Sequence, residues 1–351
     1  MTTYTNISEA GDYEILMPPY IYLTELVFGI VGTLGNLSVI IVVLSTAKMR
    51  TLTNYLILNL AVADFFVSFL LIVNKYVTQA FYIPVPGGSA GIIYCRLYYS
   101  AVFFWVCIKA STFNLLLMTY ETYVAVVHPL VYPAYRTKRN IISTVAVSWI
   151  LSLLIELVFV QYHGKADDGD CYLFVYSEPA VGVFLGVFNF VVTFLLPMIL
   201  LAWACFKIQR RLGAKISNIG DGTSIPQSET NLRARRRVVK TLYLVILCYA
   251  VCWTPDSFLF LCVNVGVSVE YTATYFNALV LLAFANSILN PIIYIFKYRQ
   301  FRMNFLRTFC WCLTKNSIGP KSTGQDSASM TGGRTNPPNV VPAVAGRGGH
   351  I

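Results

Sequence analysis

The sequence predicts an all-α membrane protein: a seven-transmembrane helix bundle followed by a short amphipathic helix 8 on its cytoplasmic side. Composition is the first observation behind this. Of 351 residues, 56% are hydrophobic and 12% charged, with a mean hydropathy of +0.63, against about 25% charged in an ordinary soluble domain. The second is length. Apolar windows able to cross a hydrocarbon core of about 30 Å at about 1.5 Å per residue recur at 20–46, 53–78, 97–127, 140–161, 179–206, 238–264 and 272–296. The third is their texture: scattered Gly, Ser and Asn suit helix packed on helix. None breaks into the short alternating segments of a strand barrel. So little polar side chain excludes a soluble enzyme or secreted domain, and 15% aromatic residues exclude disorder for most of the chain. Nine cysteines are too sparse for a disulfide-stapled scaffold.

Seven spans place the two ends on opposite sides, so one charge argument orients every loop. All but four of the 26 Lys and Arg residues fall in the first, third and fifth loops and the tail; the exceptions are Lys75, Arg96, Lys165 and the in-span Lys109. The positive-inside rule then puts the N-terminus outside and the C-terminus in the cytoplasm of a multi-pass membrane protein. The net charge of +10 reads as these loops facing anionic lipid rather than nucleic acid. Residues 1–19 form an extracellular N-terminus whose polar, acidic start is not a cleavable signal. Asn6-Ile7-Ser8 there is a glycosylation sequon, used or unused, whereas Asn36-Leu37-Ser38 sits inside a span and is left unmodified.

Between the fifth and sixth spans, Ser217 to Ser228 is a flexible stretch flanked by helix extensions. After the seventh, Phe301, Phe305 and Phe309 repeat at i, i+4, i+8 over 297–312, which predicts an interfacial amphipathic helix. Cys310 and Cys312 end it at membrane level, as palmitoylation sites or as two reduced thiols. Residues 313–351, rich in Gly, Ser, Pro and Asn, form a disordered tail. Cys95 and Cys171 both face the oxidising side and are expected to form a disulfide across the bundle mouth. Lys109 and Glu156 lie within spans, where lone charges are costly; a structural ion pair is the first reading and a ligand-facing role the second. No nucleophile–base–acid set, metal-ligand spacing or phosphate loop accompanies them, so no enzyme is expected.

Across about 20–312 the chain resembles the rhodopsin-like (class A) G-protein-coupled receptors. The residues that carry this are Gly35-Asn36, Leu60-Ala-Val-Ala-Asp64, Trp149, Pro197, Cys252-Trp253-Thr254-Pro255 and Asn290-Pro291-Ile-Ile-Tyr294. The resemblance implies a receptor domain over 20–296 that passes binding of an extracellular ligand to heterotrimeric G proteins or arrestin. Its activation switch would comprise Glu121, Thr122, Tyr123, Pro197, Cys205, Tyr249, Trp253, Pro255, Pro291 and Tyr294. It also implies a polar cavity of Asp64, Ser111, Asn286, Ser287 and Asn290, holding a sodium ion or a protonated Asp64; no other cofactor is expected.

Three positions depart from the family. Its acid-arginine-tyrosine triplet reads Glu121-Thr122-Tyr123, and Cys205 replaces the tyrosine eight residues after Pro197. Cys95 stands 27 residues before Thr122, two more than the family spacing, so a bulge or extra half-turn is expected at the start of the third span. Without the arginine, Glu121 is expected to turn toward Arg136, Lys138 and Arg139 or the Arg233–Arg237 cluster, or else to face solvent. Phe104 and Phe284 occupy the positions of the amine-binding aspartate and the retinal lysine of other members, arguing against a monoamine receptor or photoreceptor. Lys75, Gln79, Tyr99, Phe103, Phe104, Trp253, Asp256, Tyr275 and Asn277 are the candidate ligand contacts; their aromatic, mixed-charge character under an acidic lid of Asp167, Asp168 and Asp170 fits a basic peptide better than a lipid, which stays the alternative ligand. The competing reading, raised by Thr122, is a non-coupling decoy or scavenger, or an arrestin-biased receptor.

Overall fold

The computed structural model describes residues 19–73, 84–165, 171–172, 176, 178–217, 226–269 and 274–309, without the side chains of 19, 214–217, 226–235, 237 and 238. Seven of its helical segments are long and apolar enough to cross a membrane. They comprise α1 (Pro19–Ser45), α2 (Leu52–Ile72), the third span built from α3 (Gly88–Tyr94) and α4 (Val102–Val127), and, after the short α5 (Tyr132–Tyr135), α6 (Lys138–Val160). The fifth span is α7 (Pro179–Phe190) running into α8 (Leu196–Ser217); α9 (Pro226–Asn264) and α10 (Thr274–Lys297) are the sixth and seventh, and α11 (Arg299–Phe309) follows.

Local signals set the boundaries. Thr51 and Thr137 cap α2 and α6, each hydroxyl accepting the backbone N–H three residues on, from Asn54 at 3.3 Å and Asn140 at 3.1 Å. Pro179 opens α7 at a position where the missing N–H costs nothing. The third span begins nine residues before the apolar window suggested, and its expected irregularity is present. Residues Cys95–Tyr99 wind as π-helix, and Ala101 is left-handed at φ +53°. Wide turns take up extra residues while leaving α4 in phase with its neighbours. A second π segment, Val191–Leu195, joins α7 to α8. The fifth and sixth spans extend as helix well past their apolar windows, to Ser217 and back to Pro226, as the basic flanks suggested.

Helix α4 is the hub. It packs on α2, α6 and α8, while α1 bridges α2 and α10, and α9 bridges α7 and α10. Close approach of α1 needs two glycines: a Cβ on Gly32 would sit 2.2 Å from Ser68 Oγ, and one on Gly35 would sit 3.2 Å from the Pro291 ring. In α11, Phe301 is fully buried against Tyr294, and Phe305 and Phe309 follow along one stripe, ending with Phe309 exposed.

At the opposite end a two-residue antiparallel ladder, β1 (Gly164–Lys165) with β2 (Cys171–Tyr172), packs against the start of the third span. The sequence reading had not foreseen these strands, because two residues carry no periodicity. The Cys95–Cys171 disulfide joins β2 to the π segment. Lys165 Nζ donates to the Pro86 carbonyl at 2.8 Å and Arg96 Nε to the His163 carbonyl at 3.1 Å.

Candidate functional site

Polar side chains form a connected column inside an otherwise apolar bundle. Asp64, fully buried on α2, accepts from Ser111 Oγ at 2.9 Å and Ser287 Oγ at 3.0 Å on one oxygen, and from Asn290 Nδ2 at 2.7 Å on the other. Asn36 Nδ2 donates to the Ser287 carbonyl at 2.9 Å, tying in α1. Asn286 is buried one turn before Asn290, but the hydrogen bonds to Asp64 among the described residues come from the other three. One carboxylate, two hydroxyls and neighbouring amides are all oxygen-bearing hard donors with a single formal negative charge. That set fits a small monovalent cation. The described residues bring no three of His, Cys, Asp and Glu together as a transition-metal site.

A second node lies closer to the basic ends. Asn59 donates to Asn114 and accepts from Trp149 Nε1, both at 2.9 Å, and Asn114 donates to the Leu56 carbonyl at 2.8 Å. Sequence reasoning noticed Trp149 as a marker but missed Asn59 and Asn114, whose partners lie on other helices.

The Glu121 site shows what replaces the missing arginine contact. Glu121 is 5% exposed, and one oxygen accepts from Thr53 Oγ1 at 2.8 Å and Tyr132 OH at 2.5 Å. Arg136 Nε stands 3.8 Å from the same oxygen, its guanidinium lies over the Tyr132 ring, and its Nη2 donates to Thr53 at 3.3 Å. Glu121 therefore does not face solvent. Burial, then the bond to Glu121, pushes the Tyr132 phenol up to about 12, so it remains a donor at neutral pH. Thr122 takes no part; its hydroxyl returns to the Met118 carbonyl of its own helix at 2.8 Å. Tyr123 lies against Trp203 and within 3.2 Å of His128. The roles of Thr53 and Tyr132 had no sequence signal, since the fold alone brings them to Glu121.

The remaining switch residues are dispersed. Pro255 and Pro291 lie inside continuous helices. Pro197 follows the π segment of the fifth span. Tyr249 is buried and donates to the Thr193 carbonyl at 3.3 Å. Tyr294 OH is buried and meets no partner among the described residues, while the Cys205 carbonyl accepts from Tyr243 OH at 2.9 Å.

The candidate ligand contacts divide into groups. Phe104 is buried, its ring edge-on to Phe284, and Trp253 packs against the same apolar cluster. Asp256, three residues after Trp253, is half-buried; Asn277 is buried on α10. Phe103 and Tyr275 are 61% and 53% exposed and are not brought to the Phe104–Trp253 cluster. Adjacent helical residues such as Phe103 and Phe104 point about 100° apart, so one wall takes only one of them. Tyr99 falls in the π segment. Lys75, Gln79, Asn6, Cys310 and Cys312 lie outside the described residues.

Lys109 and Glu156 form a buried ion pair between α4 and α6, at 7% and 6% exposure, with the ammonium about 6 Å from the rings of Trp105 and Phe159. Glu25, 2% exposed on α1, is a buried acid that the sequence reading passed over.

The model of a family described as 7 transmembrane receptor (rhodopsin family) matches residues 35–294. Similar proteins include the tachykinin-like peptides receptor 99D of Drosophila melanogaster, 31% identical over 87% of this chain and 60% of that protein. The human galanin receptor type 3 is 32% identical over 86% of this chain and 81% of its own length. The Bombyx mori allatostatin-A receptor is 29% identical over 81% and 77%. The match spans all seven helices, from Gly35 beside Pro291 to the buried Tyr294, and the chain belongs to the rhodopsin family of seven-transmembrane receptors.

Proposed function

We propose that the protein is a plasma-membrane receptor for an extracellular peptide, that it acts on heterotrimeric G proteins, and that its basic end faces the cytoplasm. Likeness to receptors named for tachykinin-like, galanin and allatostatin-A peptides, over four-fifths or more of this chain, supports the peptide class. One observation carries the ligand's chemistry. Asp256 is a half-buried carboxylate on the sixth span, three residues after Trp253, and no cation pairs with it among the described residues. A basic side chain of the peptide supplies that partner. Asn6 carries a glycan, Cys310 and Cys312 carry palmitate, and a sodium ion sits with Asp64.

Coupling depends on the basic end. Leu130 and Val131 are 93% and 59% exposed there, large apolar side chains of the kind that meet a protein partner. Thr122 favours the second reading, a receptor that binds ligand without driving nucleotide exchange, because it offers no cation to a transducer. Exchange on purified heterotrimers of each class, stimulated by tachykinin-like, galanin and allatostatin-A peptides, separates the two. Ligand-driven exchange is expected, and it should rise in Thr122→Arg. Intact peptide binding with no exchange on any class would overturn coupling. For the ligand, Asp256→Asn should weaken a basic peptide by about tenfold, the worth of one charge-assisted bond of about 1.4 kcal/mol.

A further inference from the structure

The basic ends of the fifth and sixth spans enclose a cleft of about 300 Å³ that neither the Asp64 column nor the Glu121 cluster uses. Its floor is apolar: Leu212 and Val239, both buried, pack with Val126 and Ile208. Its rim is polar and comes from one face of each helix, Gln209 and Gly213 at i and i+4 on α8, and Arg236 and Lys240 at i and i+4 on α9.

Three features point to an anion. The charge is one-signed: among the described residues two cations line the cleft and no acid does. The sequence of α8 contains no Asp or Glu, and α9 has none between Glu229 and Asp256. Arg236 Nε is buried and meets no acceptor among the described residues, an arrangement that is costly unless a partner arrives. On the α8 side there is room for that partner, since a Cβ built on Gly213 meets nothing among the described residues within 4 Å.

Position selects the kind of anion. Lys207 is the first charge on α8 and Lys240 the last on α9 before the uncharged stretch that ends at Asp256. The cleft therefore lies where hydrocarbon gives way to headgroups. Phe206 and Leu247, both 59% exposed, stand two helical turns from Gly213 and Lys240 on the same faces of α8 and α9 and give apolar surface for acyl chains. We propose that the cleft binds the phosphorylated headgroup of an anionic lipid of the adjoining leaflet. Arg236 offers a planar fork to phosphate oxygens and Lys240 a point charge. Confinement in the bilayer keeps the local concentration of lipid headgroups high, which a dilute soluble phosphate does not match. Such a lipid touches α8 and α9 together and so biases their separation at this end.

The test uses the full chain in nanodiscs of phosphatidylcholine, containing a labelled phosphatidylinositol bisphosphate in both leaflets, with retained lipid read by native mass spectrometry. Its outcome is then independent of the orientation proposed above. Arg236→Gln with Lys240→Gln should reduce retention about 30-fold, each cation near an anionic surface contributing about fivefold. Gly213→Leu, which fills the cleft and leaves the charge alone, should also reduce it. Arg210→Gln with Arg211→Gln removes the same charge from exposed α8 positions outside the lining and should have little effect. Equal loss in the two double variants, or no loss with Gly213→Leu, would reduce the effect to general surface charge and overturn the site. Inositol trisphosphate displacing the lipid at equal concentration would assign the cleft to a soluble polyphosphate instead. Retention no greater than that of phosphatidylcholine would remove it.

Discussion

Tyr132→Phe tests whether Glu121 holds the basic end together in the absence of the family arginine. The phenol donates to a carboxylate that is 5% exposed, at 2.5 Å. A hydrogen bond to a charged group is worth about 1.5–3 kcal/mol. Removing it leaves Glu121 with Thr53 and with Arg136, whose side chain is 35% exposed and 3.8 Å away. That longer pair, screened by water, adds at most about 1 kcal/mol. The expected loss is about 2 kcal/mol, which lowers Tm by about 3 °C in a chain of this size. If the tie is made only in the resting arrangement, the same energy raises basal nucleotide exchange by about 30-fold. Glu121→Gln keeps the acceptor but drops its charge, so the Tyr132 bond falls to about 0.5–1.5 kcal/mol. It also relieves the burial of a carboxylate, so the single variants alone are ambiguous. Their cycle is not: the double variant should be about 1–2 kcal/mol less damaging than the sum. Thermal unfolding and basal exchange at matched surface expression read the two quantities. Strict additivity in both, or Tyr132→Phe indistinguishable from the parent, would refute the tie.

Lys109→Met or Glu156→Gln alone should cost about 3–5 kcal/mol by leaving one buried charge without its partner, while Lys109→Met with Glu156→Leu should recover most of it; unfolding in detergent checks this, and tolerance of either single change would contradict a buried pair. Sodium, compared with N-methylglucamine, should raise the Tm of the parent and not of Asp64→Asn, with ten times the dissociation constant giving about 1.4 kcal/mol. Burial lowers His163 from its ordinary value of 6.5, so the folded state binds fewer protons than the unfolded one. Its contribution to stability is complete above about pH 6.5 and shrinks as pH falls below that value. Melting between pH 7 and 5 should therefore be less steeply pH-dependent in His163→Gln than in the parent.

The sequence by itself determined the class of the protein. Hydrocarbon demands about twenty apolar residues per crossing and every backbone group bonded within its helix, so spans are readable as runs. The stripe of Phe301, Phe305 and Phe309 was legible because helical spacing is local, and the irregular third span because the count from Cys95 to Thr122 exceeds the spacing of the family it resembles by two. Lys109 and Glu156 announced a pair because lone charges do not persist in that medium. Tertiary structure alone decided the rest. Thr53 lies 68 residues before Glu121 and Tyr132 lies 11 after it, and no periodicity joins them; only the packing of α2 and α5 around α4 does. It sent Phe103 outward while Phe104 turned in, since a helix fixes the angle between neighbours but not which one meets the core. It also placed Arg236 beside a gap at Gly213, because a cleft belongs to two helices and to neither sequence.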